Sequence, residues 1–326
     1  MTTVTIDCIK LLDSSYIFYI TDQNHTYKEY YDYIVTTIKD LIITNKLLNK
    51  YILIGNVYKS VIIEHFSYLD IDFSKLISFY LNHEHNLVYK GYGIHEHIGI
   101  IDIIKTTNVN SIELQSDKYS VRIHDYDILN LADYVCEYSM PNIINITTSG
   151  KYEDFSKKLI YIPPLIFNTI NLTNNDRKYN LVTTFFYTHL PRRNYFLTYI
   201  NKYIPCTNVN GHWGLKETYD TYMNTKVIIN IHQTDTHHTF EELRVLPAIL
   251  CGVIIISENV PLKETIPYNE FILWGENFED IVKIAIEVTN NYEIYYNKLY
   301  GPNSKLVNII ENMNQNCNDS LLKILQ

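Results

Sequence analysis

The chain has few cysteines, and none of them lies in a CxxC pair. The five, which are scattered and odd in number, are Cys8, Cys136, Cys206, Cys251 and Cys317. A disulfide framework or a zinc knuckle needs cysteines at short, paired spacings, so the sequence predicts neither. We therefore expect reduced thiols and a cytoplasmic protein.

Long apolar runs and a basic leader are also lacking. No apolar stretch approaches the roughly 18 residues that a membrane-spanning helix requires. The opening segment, MTTVTIDCIKLLDSSYIFYI, does not combine a basic region with an apolar core. We expect neither a membrane span nor a signal peptide.

Positive charge is in deficit, since 27 Lys and Arg residues stand against 36 Asp and Glu residues, a net charge of −9. Such a chain has no global positive field that would gather phosphates, so a nucleic acid is not expected as its main partner. Glycine (10) and proline (9) are scarce, whereas tyrosine (30) is abundant. Because the codons of Tyr, Ile, Asn and Lys are A/T-rich, this bias indicates an AT-rich genome, that of a microbe, an amoeba or a large virus acting in its host's cytoplasm.

The residues that are present describe a globular protein. Hydrophobic residues make up 46% of the chain and charged residues 19%, and 326 residues suffice for two domains. In the first half, the apolar patterns predict strands and one helix. The strands are Val4–Leu12, Tyr51–Val57, Asn86–Tyr89 and Ser120–Ile123, and the helix is Tyr27–Leu48. The Pro- and Asn-rich segment Tyr161–Asn180 is predicted to be a linker.

The second half alternates strands and helices more clearly. The predicted strands are Tyr179–Phe186, Lys226–His232, Val253–Ser257 and Phe271–Gly275, and the predicted helices are Pro191–Tyr203, Glu241–Cys251 and Phe278–Asn291. Thr239, with Glu242 three residues on, can cap the middle helix as a capping box, and Gly252 should end it. This alternation predicts an α/β fold with parallel sheets that helices cover on both faces.

Polar side chains concentrate in the loops that follow these strands. In open parallel sheets, ligands bind beyond the carboxyl ends of the strands. The loops in that position carry His189, Arg192, Arg193, Asp235, His237, His238 and Glu241. An Arg pair beside a helix N-terminus suits a diphosphate, and Glu241 or Glu242 could accept hydrogen bonds from a ribose diol. Two alternatives stay open, because acidic residues favour a helix's first turn without any ligand and an exposed Arg pair can be a solvated face.

The segment FEELRVLPAILCGVIIISENVPLKETIP, residues 240–267, resembles the C-terminal, nucleotide-sugar-binding domain of glycosyltransferases with the GT-B architecture. In that group an acidic residue, an Arg, a short helix and a Cys-Gly step precede a buried strand. THLPRRNYFLTYI is similar to the first strand–helix step of the same domain, and the likeness runs from Asn180 to Tyr300. It implies two Rossmann-like domains with parallel sheets facing across a cleft. Residues 1–165 would bind the acceptor and 176–302 the donor, and 303–326 would be a helical tail packing back on the first domain.

The resemblance also implies a function. The protein would be a hexosyltransferase-like enzyme that moves a sugar from a UDP- or GDP-linked donor to a glycan, protein or small-molecule acceptor, with no metal and no further cofactor. The implied donor-binding residues are His189, Arg192, Arg193, Asp235, His238, Thr239, Glu241, Glu242 and Arg244. Glu84 and His85 would be the acid–base groups, because the architecture places the base in the N-terminal domain.

The chain departs from the family at two positions. Pro247 stands where many retaining members carry a glutamate, and Thr239 stands at the site of its partner glutamate. These departures argue against the retaining mechanism and leave open a non-catalytic sugar- or nucleotide-binding relative. A sugar-nucleotide epimerase, which shares the architecture, is a second alternative.

Metal-binding patterns are weak. The triplets His83–His85 and His95–His97 read His-Glu-His, and an i, i+2 spacing brings at most two ligands together, whereas zinc needs three or four. Asp70 with Asp72, and Asp125 with Asp127, match the DxD pattern of the other large glycosyltransferase architecture, but such patterns are common in Asp-rich chains. No metal site is therefore predicted.

Overall fold

The computed structural model describes residues 5–21, 28–82, 87–89, 103–105, 119–123, 126–149, 152–167, 169–174, 176–185, 191–209, 214–232 and 239–326. Within these ranges the chain forms an α/β fold with two large sheets and one small antiparallel sheet. None of the helices in these ranges is both long and apolar enough to span a bilayer.

The strands are named in chain order. They are β1 (Ile6–Leu11), β2 (Ser15–Ile20), β3 (Tyr51–Ile54), β4 (Leu76–Asn82), β5 (Leu87–Tyr89), β6 (Ile103–Lys105), β7 (Tyr119–Arg122), β8 (Tyr134–Glu137), β9 (Leu159–Tyr161), β10 (Tyr179–Thr183), β11 (Thr207–Asn208), β12 (Thr225–Asn230), β13 (Ile254–Glu258) and β14 (Ile272–Gly275).

The α-helices are named in the same way. They are α1 (Lys28–Thr44), α2 (Lys59–His65), α3 (Tyr126–Leu129), α4 (Met140–Thr148), α5 (Glu153–Ser156), α6 (Pro191–Ile200), α7 (Leu215–Met223), α8 (Glu242–Leu250), α9 (Phe278–Asn290), α10 (Tyr292–Tyr300) and α11 (Leu306–Leu325). Three short 3-10 helices span Phe73–Lys75, Lys263–Thr265 and Asn269–Phe271.

The first large sheet has six strands in the order β1-β2-β3-β4-β8-β9. β1 and β2 form an antiparallel hairpin, and every other neighbouring pair is parallel. β3 reads YILI and is buried at all four positions, as expected of a strand that is covered on both faces. β5, β7 and β6 form the small antiparallel sheet.

The second large sheet is wholly parallel, with the order β11-β10-β12-β13-β14. Its predicted strands and helices are confirmed, with bounds that differ by up to three residues. The strand that begins at Tyr179 ends at Thr183, and the helix that begins at Pro191 ends at Ile200. Because all these strands run in one direction, their carboxyl ends meet at one edge of the sheet, which is where ligands bind in such folds.

Arg177 anchors the segment between the two sheets. Its guanidinium, which is buried, donates to the carbonyl oxygens of Thr173, Tyr222, Thr225 and Cys251. The last two carbonyls lie where β12 and β13 begin, so the segment is fastened to the amino edge of the five-stranded sheet. Arg177 therefore does not occupy the opposite edge of the sheet, which is formed by the carboxyl ends of the strands.

The predicted capping box at Thr239 is wrong. α8 begins at Glu242, Glu241 holds the N-cap position, and the Glu241 side chain makes no capping hydrogen bond. The carboxylate of Glu241 pairs instead with arginines, and that of Glu242 turns into the protein interior. Pro247 lies inside α8, where it has no N–H to donate to the preceding turn.

Gly252 ends α8, as predicted. Its φ is +66°, its N–H donates to the Ile249 carbonyl, and the N–H of Val253 donates to the Ala248 carbonyl, which together form a Schellman motif. We expect Gly252→Ala to lower the free energy of unfolding by about 1–2 kcal/mol, because a Cβ is strained in the left-handed region. That Cβ would also meet the Tyr296 hydroxyl at 3.0 Å. Urea unfolding of the two proteins measures the change, and an unchanged midpoint would contradict the strain.

Candidate functional site

Two ion-pair clusters lie at the carboxyl edge of the five-stranded sheet. The helices that start there bring in arginines, Arg192 and Arg193 on α6 and Arg244 on α8. The carboxylates come from Glu241, just before α8, and from Glu258, the last residue of β13. Three guanidinium groups thus converge on two carboxylates.

Arg192 and Glu258 form the first cluster. The guanidinium forks onto both carboxylate oxygens, with Nη1 2.9 Å from Oε2, and Nη1 also donates to the His232 carbonyl at 3.2 Å. The guanidinium carbon of Arg192 lies over the ring of Phe278, 4.6 Å from the ring centroid. Burial by itself would raise the pKa of Glu258, but His232 and Arg192 outweigh it and hold that pKa below its ordinary value. The pair is therefore ionised although both of its side chains are mostly buried.

Glu241 holds the second cluster together. One of its oxygens lies 3.3 Å from Nη2 of Arg193 and the other 3.4 Å from Nη2 of Arg244. Arg193 also packs over the ring of Phe185 at 4.8 Å. Arg244 in turn donates to the Asn230 side-chain oxygen at 2.9 Å.

Arg193 is the most enclosed of these groups. The residue is 4% exposed. Burial, reinforced by Arg244 and Arg192, lowers the pKa of Arg193 to about 10, and Glu241 opposes that shift. The interpretation of the Arg pair as a solvated face is excluded, because Arg193 lies in the interior and Arg192 is forked onto a carboxylate.

The side chain of Glu242, the first residue of α8, points into the protein interior instead of joining these clusters. Its carboxyl is fully buried and accepts a hydrogen bond from the Tyr268 hydroxyl at 2.6 Å. It faces Ser139 and Glu137 at the carboxyl edge of the six-stranded sheet. A ribose diol needs an accessible acceptor, so of the two predicted glutamates only Glu241, which keeps 19% of its side chain exposed, meets that condition.

The carboxyl of Glu137 is buried close enough to that of Glu242 to be affected by its charge. One oxygen accepts from the Ser139 backbone at 2.9 Å and from the Asn142 amide at 3.1 Å, and the other accepts from the Asn82 amide at 2.6 Å. Burial raises the pKa of Glu137 to about 8 and the pKa of Glu242 to about 7. The contact region of the two sheets therefore holds two carboxyls that resist ionisation.

A cleft opens beside the first cluster, on the side of α6 and α9. Its volume is about 610 Å³, which lies in the usual range for small-ligand sites. It is lined by Arg192, Tyr195, Tyr199, Glu258, Glu276, Asn277, Phe278 and Glu279. The cleft therefore presents both aromatic rings and carboxylates at the edge of the sheet where α9 begins.

Five predicted site residues lie outside the described residues. They are Glu84, His85, His189, Asp235 and His238. Thr239, which directly follows the undescribed residues 233–238, is buried. Of the acidic DxD pairs, Asp72 accepts from the Ser74 backbone and hydroxyl and so caps a short 3-10 helix.

Three contributors to the site escaped the sequence analysis. Asn230 was placed only within a predicted strand, and Glu258 and Glu137 were not singled out. A polar residue closing an apolar strand is the signal that could have found them, since in this fold such a residue lies at the ligand-binding edge.

The chain has distant likenesses to known proteins. No protein-family model matches it. Uncharacterized protein R358 of Acanthamoeba polyphaga mimivirus is 29% identical over 169 residues, which are 50% of this chain and 59% of that protein. The chain thus matches less than two thirds of the relative's length.

Two crystal structures of α1,3-fucosyltransferase resemble the fold. The first has a TM-score of 0.39 at 12% identity and covers 84% of this chain and 80% of that one. The second, with GDP-fucose, has a TM-score of 0.39 at 10% identity and covers 82% and 78% of the two chains.

Proposed function

We propose that the protein is a glycosyltransferase whose nucleoside-diphosphate-sugar donor binds at the carboxyl edge of the five-stranded sheet. The observation that carries the proposal is the second cluster, in which the guanidinium groups of Arg193 and Arg244 share the single carboxylate of Glu241. Two positive charges against one negative charge leave this cluster positive in a chain whose net charge is −9. Guanidinium groups fit phosphate oxygens and stabilise the charge that develops on a departing diphosphate.

The proposed roles are divided within the cluster. Arg244 is the first candidate for the diphosphate, because it keeps 17% of its side chain exposed at the start of α8. Arg193 is buried and serves to hold Glu241, which remains the candidate for the ribose diol. The positive charge comes from the chain itself, so the proposed reaction needs no metal.

The acceptor is assigned to the first half of the chain. We take residues 1–165 as an acceptor domain, 176–302 as a donor domain and 303–326 as a tail, with transfer in a cleft between the domains. The division is supported by the two sheets, since β9 ends at Tyr161 and β10 begins at Tyr179. Glu84 and His85 stay the proposed acid–base groups, because in the sequence they come shortly after Asn82, the last residue of β4. The mimivirus relative supports an origin in a large virus.

We expect Arg244→Ala to weaken the binding of a nucleoside diphosphate about ten- to a hundredfold, since a charge-assisted contact is worth about 1.5–3 kcal/mol. Arg244→Lys should recover only part of the loss, because lysine keeps the charge but not the fork. Calorimetric titration with GDP and with UDP measures the affinity, and the melting temperature of each variant is recorded alongside.

Lys283→Ala is the matched control, because Lys283 is an exposed cation on α9 and its side chain is 73% exposed. It should leave the affinity unchanged. Equal affinity of wild type and Arg244→Ala would place the diphosphate elsewhere. The products then distinguish the two enzyme classes, since a transferase releases a nucleoside diphosphate with an acceptor present, whereas an epimerase returns an intact isomeric donor.

A further inference from the structure

The cleft beside Arg192 has an aromatic wall. Tyr195 and Tyr199 lie one helical turn apart on α6 with their rings stacked at 6.1 Å, and Phe278 at the start of α9 lies 6.2 Å from Tyr195. Tyr195 is 61% exposed although its ring is large and apolar. Such a wall offers a face on which a planar ring can stack.

The polar groups of this cleft are mainly hydrogen-bond acceptors. The charge of Glu258 is matched by Arg192. The carboxylates of Glu276 and Glu279 also line the cleft, and Glu276 lies 4.0 Å from the Lys263 ammonium. Glu276 is held in place, since the Asn259 amide lies 3.0 Å from each of its oxygens. Each carboxylate oxygen has a second lone pair, so Glu276 can accept further hydrogen bonds without losing its support.

We infer that this cleft receives the nucleoside half of the donor and prefers guanine to uracil, with Glu276 as the specificity-determining residue. The inference rests on the proposed function, because Arg192, which lines the cleft, lies close enough to Arg193 of the second cluster to act on its pKa, and the second cluster is the one that would bind the diphosphate.

The preference follows from the hydrogen-bonding edges of the two bases. Guanine presents two adjacent donors, a ring N–H and an amino group, and a carboxylate accepts such a pair as it accepts the fork of an arginine. Uracil presents one N–H between two carbonyl oxygens, which face a carboxylate unfavourably. A site that pairs with a substrate's N–H groups rejects an analogue that lacks them.

The test is calorimetric titration of GDP and of UDP into wild type, Glu276→Gln and the control Glu311→Gln. Glu311 is exposed on α11, so its change removes the same charge without touching the cleft. In the wild type we expect GDP to bind at least about ten times more tightly than UDP. In Glu276→Gln the ratio should fall toward one, because an amide can donate to a carbonyl of uracil and can accept only one of guanine's two N–H donors. The control should keep the wild-type ratio.

The outcomes distinguish a failure of the guanine inference from a failure of the proposed function. Equal binding of GDP and UDP by the wild type, tighter binding of UDP, or an unchanged ratio in Glu276→Gln each overturns the guanine inference and leaves the proposed function standing. Binding of neither nucleotide by a folded wild type overturns both. A normal melting temperature for each variant shows that a changed ratio comes from the cleft and not from unfolding.

Discussion

Glu242→Gln should make the protein more stable than the wild type at pH 8 and leave its stability nearly unchanged at pH 5. Burial holds the pKa of Glu242 at about 7, above its ordinary value. A carboxyl whose pKa is raised on folding stabilises the native state most below its unfolded pKa, and this contribution is lost as the pH rises through the folded pKa. For one such group the free energy of unfolding falls by about 1.4 kcal/mol per pH unit across that window.

The surroundings of Glu242 explain why it resists ionisation. Burial raises its pKa, and the hydrogen bonds from the hydroxyls of Tyr268 and Ser139 lower it only in part, since neither of these groups is a cation. Glu137 lies nearby and is itself buried, with a pKa of about 8. Two ionised carboxyls at this contact would repel each other, so at neutral pH at least one of them keeps its proton.

Urea unfolding at half-unit steps from pH 5 to pH 9 measures the effect. Wild type should lose stability across this range, Glu242→Gln should lose less, and Glu137→Gln should also flatten the curve. Glu64→Gln is the control, since Glu64 is exposed on α2. Parallel curves for wild type and Glu242→Gln would mean that the carboxyl ionises freely and that water reaches the contact.

Arg192→Ala should lower the free energy of unfolding by about 3–5 kcal/mol, the usual cost of leaving one partner of a buried ion pair alone. The side chains of Arg192 and Glu258 are 15% and 11% exposed. Without the guanidinium, the carboxylate of Glu258 keeps the hydrogen bond from the His232 backbone at 3.0 Å but loses the cation that forks onto it. A cost of this size would not arise if the Arg pair were a solvated face, which is the alternative that the sequence left open.

A double variant identifies the cause of that loss. Arg192→Ala combined with Glu258→Gln should recover part of the stability, because no charge is then left unpaired. Breaking the exposed pair Lys283–Asp280, whose atoms lie 3.6 Å apart, should cost less than about 1 kcal/mol. The buried charge is not the cause if Arg192→Ala lowers the free energy of unfolding no more than breaking the exposed pair does. It is also not the cause if the loss in the double variant equals the sum of the losses in the two single variants.

Because the pKa of Glu258 is lowered on folding, its contribution to the free energy of unfolding is lost on acidification, opposite to that of Glu242.

The sequence predicts the five-stranded sheet better than the site it supports. β12 and β13 are short apolar runs between helices with regular periodicity, and their neighbours in the sheet are close in sequence. The position of Glu242 depends on Glu137 and Ser139, more than a hundred residues away, and no local pattern encodes that contact. Arg193 was misjudged for the same reason, since periodicity assigns a charged residue to the surface while Glu241 and Phe185 enclose it.

The packing of α11 against α1 has a consequence for synthesis on the ribosome. Cys317, Leu321 and Leu325 fill the same core as Ile34 and Ile38 of α1. α1 therefore waits for α11, and the core of the five-stranded sheet also takes Leu306, Ile310 and Met313 from α11. We expect both cores to stay incomplete until α11 has emerged, so a nascent chain stalled before that point would expose the apolar face of α1 to chaperones.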